Sequence, residues 1–168
     1  ARQYAQQLDQ FNRERKAIES DMKEQAEKAL VDLVHEGEAL PNGMCFYDED
    51  WHQGVIGILA SRMKEKCHRP VIAFARTDNG EIKGSARSIP GVHIRDALDL
   101  LAKRYPQLLS KFGGHAMAAG MTIKEAHYDA FRLAFDLIIS EWVTEDQLEA
   151  CIYTDGPLAP EDFSLSFA

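Results

Sequence analysis

Short apolar segments alternate with longer segments of helical periodicity through the middle of this chain, and this alternation constrains its fold more than any other feature. Residues 44–47 and 70–75 are apolar runs of strand length, and residues 54–67 between them carry apolar side chains at helical spacing. The pattern then predicts a hairpin arm, a helix, a strand, a helix and a final strand, at residues 81–87, 94–101, 119–123, 124–142 and 149–154. The predicted class is therefore α/β, with a mixed sheet flanked by helices.

A long amphipathic helix is predicted to precede this sheet, over residues 2–35. Its apolar side chains recur at spacings of three, four or seven residues, at Tyr4, Leu8, Phe11, Ile18, Met22, Ala29 and Leu33. A coiled-coil dimer would need a sustained heptad pattern with charges at the flanking positions, which this segment lacks. We favour a connecting helix, and we expect the chain to be a piece of a longer protein.

The composition is that of a globular protein with a core, at 45% hydrophobic and 27% charged residues. No apolar run approaches the length of a membrane-spanning helix, so no membrane association is expected. The three cysteines, Cys45, Cys67 and Cys151, are far apart and odd in number. This usage argues against a disulfide framework or a zinc knuckle, and it predicts a reducing, cytoplasmic location.

The distribution of charge is more informative than its sum. A formal net charge of -8 is unusual for a protein that binds nucleic acid. Between Arg62 and Lys111, however, the sequence has eleven Lys and Arg and only five Asp and Glu. Since local fields determine where an anion docks, this central region is a candidate for binding phosphate.

The glycine-rich segment 112–120 is the least ordinary stretch of the sequence. Gly113 and Gly114 permit unusual backbone dihedrals and the close approach of a ligand, and successive amides in such a turn bind anions. His115 adds a hydrogen-bond donor or a positive charge for a phosphate oxygen. An ordinary tight turn before a strand, with His115 on the surface, is the alternative that glycine content alone leaves open.

The segment 84–88 favours the anion interpretation. After Gly84 it offers the hydroxyls of Ser85 and Ser88 and the guanidinium of Arg87, whose planar fork binds two phosphate oxygens at once. The alternative is a polar strand end with Arg87 in a surface ion pair. Two such segments in one small domain predict a phosphate-binding surface.

His52 and Gln53 immediately precede the helix predicted at 54–67, and helix N-termini attract anions. Both side chains are candidates for lining a cleft, although a capping role explains the position of His52 equally well. None of the six histidines is paired with another at helical spacing, and no His-Glu-x-x-His motif occurs. We therefore expect no metal ligands in this chain.

Four blocks of the sequence together resemble a known family, at residues 51–62, 68–74, 84–88 and 112–120. Gly-Gly-His-x-x-Ala-Ala-Gly from Gly113 and Ser-x-Arg-Ser from Ser85 are similar to elements shared across the DHH phosphoesterase superfamily. His-Gln-Gly-Val-Ile-Gly from His52 narrows the resemblance to RecJ, the family of bacterial single-stranded-DNA-specific exonucleases. The order and spacing of four separate blocks make this resemblance specific.

The resemblance implies an order of domains. A domain with the Asp-His-His motif, holding manganese or magnesium, would precede a long connecting helix at residues 1–36. A DHH-associated substrate-binding domain would follow at 37–143, then a linker and the start of an OB-type domain at 144–168. The chain contains no Asp-His-His sequence, so the resemblance places the metal-holding domain outside it.

The same resemblance implies a function, the 5′→3′ degradation of single-stranded DNA in repair and recombination. Arg87 and His115 would act on the phosphate as catalytic residues, and Ser85, Ser88, Gly113 and Gly114 would bind the substrate beside them. Gly84, from the same segment, and His52 and Gln53, from their position before a helix, complete the expected substrate-binding residues. The partners would be single-stranded DNA and the missing DHH domain, and the chain alone would be inactive. Two alternatives stay open: a DHH-type phosphodiesterase for short RNA oligonucleotides or cyclic dinucleotides, and a non-catalytic nucleic-acid-binding module.

Overall fold

The computed structural model describes residues 2–35, 40–109, 111–149, 151 and 156. The helices are α1 (Arg2–His35), α2 (Ile56–Cys67), α3 (Ile94–Arg104) and α4 (Tyr128–Ser140). The strands are β1 (Met44–Asp48), β2 (Val71–Arg76), β3 (Glu81–Arg87), β4 (Lys111–Gly114) and β5 (Ala118–Lys124). The predicted α/β class, a mixed sheet flanked by helices and preceded in the chain by a long helix, is confirmed.

The strands form one sheet in the order β1-β2-β3-β5-β4. β1 and β2 are parallel and joined through α2, whereas β2–β3, β3–β5 and β5–β4 are antiparallel pairs. The hairpin between β2 and β3 turns at Asp78–Gly80, where Asn79 has a φ of 72° and Gly80 a φ of 70°. Asn and Gly tolerate this left-handed backbone, which is why the short turn predicted there forms.

The helices cover the two faces of the sheet unequally. On one face α3 and α4 pack against β2, β3 and β5 around Phe74, Ile82, Phe131 and Phe135, all fully buried. On the other face α2 lies over β2 and β3, and its buried apolar side chains share one cluster with those of β1 and β2. The described chain places no helix over β5 and β4 on this second face, and that half of it stays open.

The long helix α1 is covered along its second half only. Met22, Ala26 and Leu30 recur at spacings of four and join the core beneath α2, while Tyr4, Leu8 and Phe11 are 62–72% exposed. Polar contacts to the loop before α2 and to α2 itself add to this packing: Trp51 donates to Gln25 at 2.6 Å, and Lys66 pairs with Glu27 at 2.9 Å. The first half of the apolar stripe thus has no partner within the described residues.

Two predictions of local structure change. Gly113 and Gly114 lie inside strand β4, where a turn was expected, because they pair with Gly120 and Ala119 of β5. The helix expected from residue 124 begins at Tyr128, since Glu125–His127 forms a tight 3₁₀ turn first. Most of the strand predicted at 149–154, and of the segment 144–168, lies outside the described residues.

No helix of the described chain is both long and apolar enough to cross a membrane.

The unequal covering of α1 gives a stability test. Replacing Met22, which is 3% exposed, by Ala should lower the free energy of unfolding by about 2–5 kcal/mol. Leu8→Ala, at a residue 68% exposed, should change it by less than about 0.5 kcal/mol. Urea unfolding followed by circular dichroism measures both. Equal losses would mean that the first half of α1 is covered in solution.

Candidate phosphate-binding site

The uncovered half of the sheet forms the floor of a cavity of about 780 Å³. We call this surface, made by the α2-facing side of β3, β5 and β4, the open face. The cavity is lined by Gln53, Gly54, Ile56, Gly57, Lys83, Gly84, Ser85, Lys111, Phe112, Gly120, Met121 and Thr122. Two lysines and no carboxylate are among these residues, although the whole chain carries a net charge of -8.

Strand register arranges the open face in rows, because directly opposed residues of antiparallel strands point to the same side. Successive rows along a strand are separated by two residues, or roughly 6.8 Å. Starting from Arg87, the rows are Arg87 and Ala118; Ser85, Gly120 and Gly113; Lys83, Thr122 and Lys111; and finally Glu81 and Lys124. The guanidinium and the pair Lys83 and Lys111 are therefore separated by the row that contains two glycines.

Arg87 lies against the first turn of α2. Its Nη1 donates to the carbonyl of Ala86 at 2.8 Å and to the hydroxyl of Ser85 at 3.0 Å. A Cβ on Gly57 would lie 3.0 Å from Nη2 of Arg87, so glycine at this helix position leaves the room that the guanidinium occupies. Within the described residues Arg87 makes no ion pair, and the side-chain hydrogen bonds of its guanidinium come from Nη1 alone.

The glycines of the two motifs differ in whether packing requires the absence of a side chain. A Cβ on Gly84 would lie 2.5 Å from Cε1 of Phe74, and one on Gly114 would collide with the carbonyl oxygen of Ala118. By contrast, a Cβ on Gly113 would meet no atom within 4 Å, and one on Gly120 only the carbonyl of Gly84 at 4.0 Å. Packing requires Gly84 and Gly114, whereas Gly113 and Gly120 leave the floor of the open face bare, as a site for close approach of a ligand does.

His115 stands exposed in the turn between β4 and β5, beside the row of Arg87. Its amide donates to the carbonyl of Ala118 at 2.8 Å, so this amide is not part of an anion-binding turn. The amide of Ser88 donates to Met117 at 3.0 Å, which ties the His115 turn to the end of the strand that carries Arg87. The two predicted segments are therefore held at the same end of the sheet.

Ser88 does not belong to the exposed surface. It is fully buried, and its hydroxyl donates to the carbonyl of Val92 at 2.7 Å. The expectation that Ser88 contacts substrate is corrected on this ground, because the side chain holds the loop that follows β3.

Of the two residues before α2, Gln53 lines the cavity as expected, whereas His52 stabilises the start of the helix. Gln53 lines the cavity and donates through Nε2 to the carbonyl of Arg76 at 2.9 Å. Nδ1 of His52 accepts from the amide of Gly54 at 3.1 Å, and its carbonyl accepts from Val55 at 2.9 Å. His52 thus stabilises the turn that leads into α2 and does not line the cavity.

Comparison with known families identifies this arrangement. Residues 38–141 match the family described as the DHHA1 domain. The chain belongs to the DHHA1 domain family.

Individual relatives agree with the family. The chain is 47% identical to the single-stranded-DNA-specific exonuclease RecJ of Haemophilus influenzae over 168 residues, which is 100% of this chain and 29% of that protein. A crystal structure of exonuclease RecJ bound to manganese matches with a TM-score of 0.66 at 29% identity, over 85% of this chain and 33% of that one. RecJ of Thermus thermophilus in complex with Mg²⁺ matches with a TM-score of 0.64 at 28% identity, over 82% and 20%. The resemblance to RecJ is confirmed, and the chain spans less than a third of its curated relatives.

Four residues of the cavity lining, Lys83, Lys111, Gly57 and Gly120, were not individual candidates from sequence, although Gly120 belongs to the glycine-rich segment 112–120. Side chains alternate between the two faces of a strand, which places Lys83 on the same side as Ser85 and Arg87. Lys83 could therefore have been predicted from the sequence. The other three depend on which strands are neighbours and on where α2 lies, and neither follows from local pattern.

The described part of the DHHA1 domain does not fit a metal centre. Among these residues no group of three or more His, Cys, Asp and Glu side chains could hold a metal ion. The manganese and magnesium of the two RecJ crystal structures therefore have no matching ligand set here, and no step of the chemistry is assigned to a metal on this domain.

The division of the glycines is testable by stability. Gly113→Ala and Gly120→Ala should leave the free energy of unfolding unchanged or raise it by up to about 1 kcal/mol, because a strand glycine is intrinsically costly. Gly84→Ala and Gly114→Ala should lower it by about 1–3 kcal/mol through overpacking. Thermal and urea unfolding of the four variants measure this. If Gly113→Ala lowered the free energy of unfolding as much as Gly114→Ala, the conclusion that packing does not require glycine at residue 113 would be wrong.

Proposed function

We propose that this chain is the substrate-binding part of a single-stranded-DNA-specific 5′→3′ exonuclease that acts in DNA repair and recombination in the cytoplasm. The observation that carries the proposal is the open face, where Lys83, Ser85 and Lys111 line a cavity that has no carboxylate in its lining, and Arg87 follows in the row next to Ser85. A guanidinium without an ion pair in the described chain, beside a hydroxyl, suits a phosphate group. The RecJ relatives supply the substrate class, single-stranded DNA.

The chain's own residues would position the substrate. Arg87 binds the phosphate through the free side of its fork, and Ser85, whose oxygen accepts from Arg87, donates its hydroxyl proton to a phosphate oxygen. His115 hydrogen-bonds the phosphate from the turn at the same end of the sheet. Charge compensation and orientation of this kind stabilise the transition state more than the ground state when the groups are held in place beforehand.

The remaining assignments follow from the family. Residues 1–36 would connect to a preceding DHH domain that holds manganese or magnesium, residues 37–143 would form the DHHA1 domain, and residues 144–168 would lead into an OB-type domain. The alternative of a phosphodiesterase for short RNA oligonucleotides or cyclic dinucleotides is disfavoured by the similarity to RecJ along the full chain. A non-catalytic module would be excluded by an Asp-His-His segment upstream in the same gene.

The phosphate role is tested in the complete protein that contains this chain. Arg87→Ala and His115→Ala should each slow degradation of 5′-phosphorylated single-stranded DNA by about 10²-fold or more. Arg95→Ala is the matched control, because this exposed arginine lies on α3, across the sheet from the open face. Single-turnover kinetics measure the three rates. Full activity of both site variants would refute the assignment.

The 168-residue chain alone should hydrolyse no DNA. With manganese and labelled single-stranded DNA, gel analysis should show intact substrate, because the described residues offer no metal site. Turnover that follows the purified chain through successive columns would contradict this expectation.

A further inference from the structure

We infer that Lys83 and Lys111 form a second phosphate subsite on the open face, which takes another phosphodiester of the single strand held by Arg87. The inference rests on the proposed function and deepens it. The known elements of the family resemblance, the glycine-rich and Ser-x-Arg-Ser segments, do not include either lysine.

The first support is position. Lys83 on β3 and Lys111 on β4 are both paired with Thr122 of β5, the strand that lies between them, so they flank the same point of the floor from opposite sides. Two strand spacings separate their Cα atoms, roughly 10 Å. The long side chains of two lysines at this separation reach a single group bound above Thr122.

The second support is charge. Neither Lys83 nor Lys111 forms an ion pair within the described residues, whereas Lys66 and Lys103 pair with carboxylates at 2.9 and 2.6 Å. Two exposed ammonium groups at one row repel each other, and an anion between them relieves that repulsion. The next row, Glu81 and Lys124, carries opposite charges and ends the positive stretch.

The third support is the floor between the two cationic rows. Gly113 and Gly120 occupy the row that separates Arg87 from the lysines, and neither glycine is required by packing. Arg87 and Lys83 are four residues apart on β3, roughly 13 Å between Cα atoms. A strand anchored at both rows would thus lay the intervening sugar and base on bare backbone.

The test is the salt dependence of binding to the 168-residue chain. Fluorescence anisotropy with a 5′-phosphorylated oligothymidylate gives the slope of log affinity against log salt. Lys83→Gln with Lys111→Gln should flatten the slope by about 0.7, the value for one lost phosphate contact on a single strand. Arg87→Ala should flatten it by the same amount, and the triple variant by about 1.4, because separate phosphates add.

The matched control removes two lysines elsewhere. Lys28→Gln with Lys64→Gln changes the net charge equally, on helices outside the cavity lining, and should leave the slope unchanged. Thermal unfolding verifies that each variant is folded, which is expected because both subsite lysines are exposed.

The outcomes separate this inference from the proposed function. If wild type binds and Arg87→Ala weakens binding while the subsite pair keeps the wild-type slope, the second subsite is wrong and the proposed function stands. The subsite is equally wrong if the triple variant matches Arg87→Ala alone, because the lysines then share the first phosphate, or if the control pair flattens the slope as much. Absence of wild-type binding at low salt would overturn the subsite on this chain, whereas the proposed function is decided by the kinetics of the complete protein.

Discussion

The packing of α2 on only half of one sheet face is the constraint on which the site depends. Small side chains on β2, Ala73 and Ala75, let the helix lie close over β2 and the adjoining β3, where Leu59, Ala60 and Met63 are fully buried. This close packing excludes water from one half of the face and leaves β5 and β4 uncovered. The first turn of α2 therefore stands at the border of the open face, and Gly57 there leaves room for Arg87. A helix shifted toward β5 would fill the cavity, and a larger residue at Gly57 would displace the guanidinium.

Charged side chains are paired in one part of this molecule and are left without ion pairs in another part of the described chain. The acidic groups near α1 and α2 are matched by cations, as in the pairs Arg62–Glu19 and Lys66–Glu27. On the open face the cations have no such partners within the described residues. Local fields govern the docking of anions at short range, because screening limits the influence of distant charges to about 10 Å at ordinary salt. A net charge of -8 is therefore compatible with a phosphate-binding surface.

Much of the fold was predictable because its signals are local. The long helix over 2–35, the apolar strand after residue 70 and the turn at Asp78–Gly80 all follow from periodicity and turn chemistry. Strand β4 was missed because its two glycines indicate a turn, and only pairing with β5 makes them a strand. Ser88 was misjudged because its hydroxyl has a partner four residues away, Val92, that sequence does not reveal. The motifs located the candidate site, and the tertiary arrangement divided its residues into those that hold the fold and those that are exposed on the open face.

The buried Ser88 links the two motifs in space. Its hydroxyl fixes the loop after β3 through Val92, and its amide holds the His115 turn through Met117. The amide of Ile94, at the start of α3, holds the same turn through Ala116 at 2.9 Å. Three neutral hydrogen bonds of about 1 kcal/mol each are modest in stability, yet each one fixes an orientation. They tie the turn with His115 to the strand end with Arg87, and groups that are held in place beforehand bind a phosphate with less reorganisation.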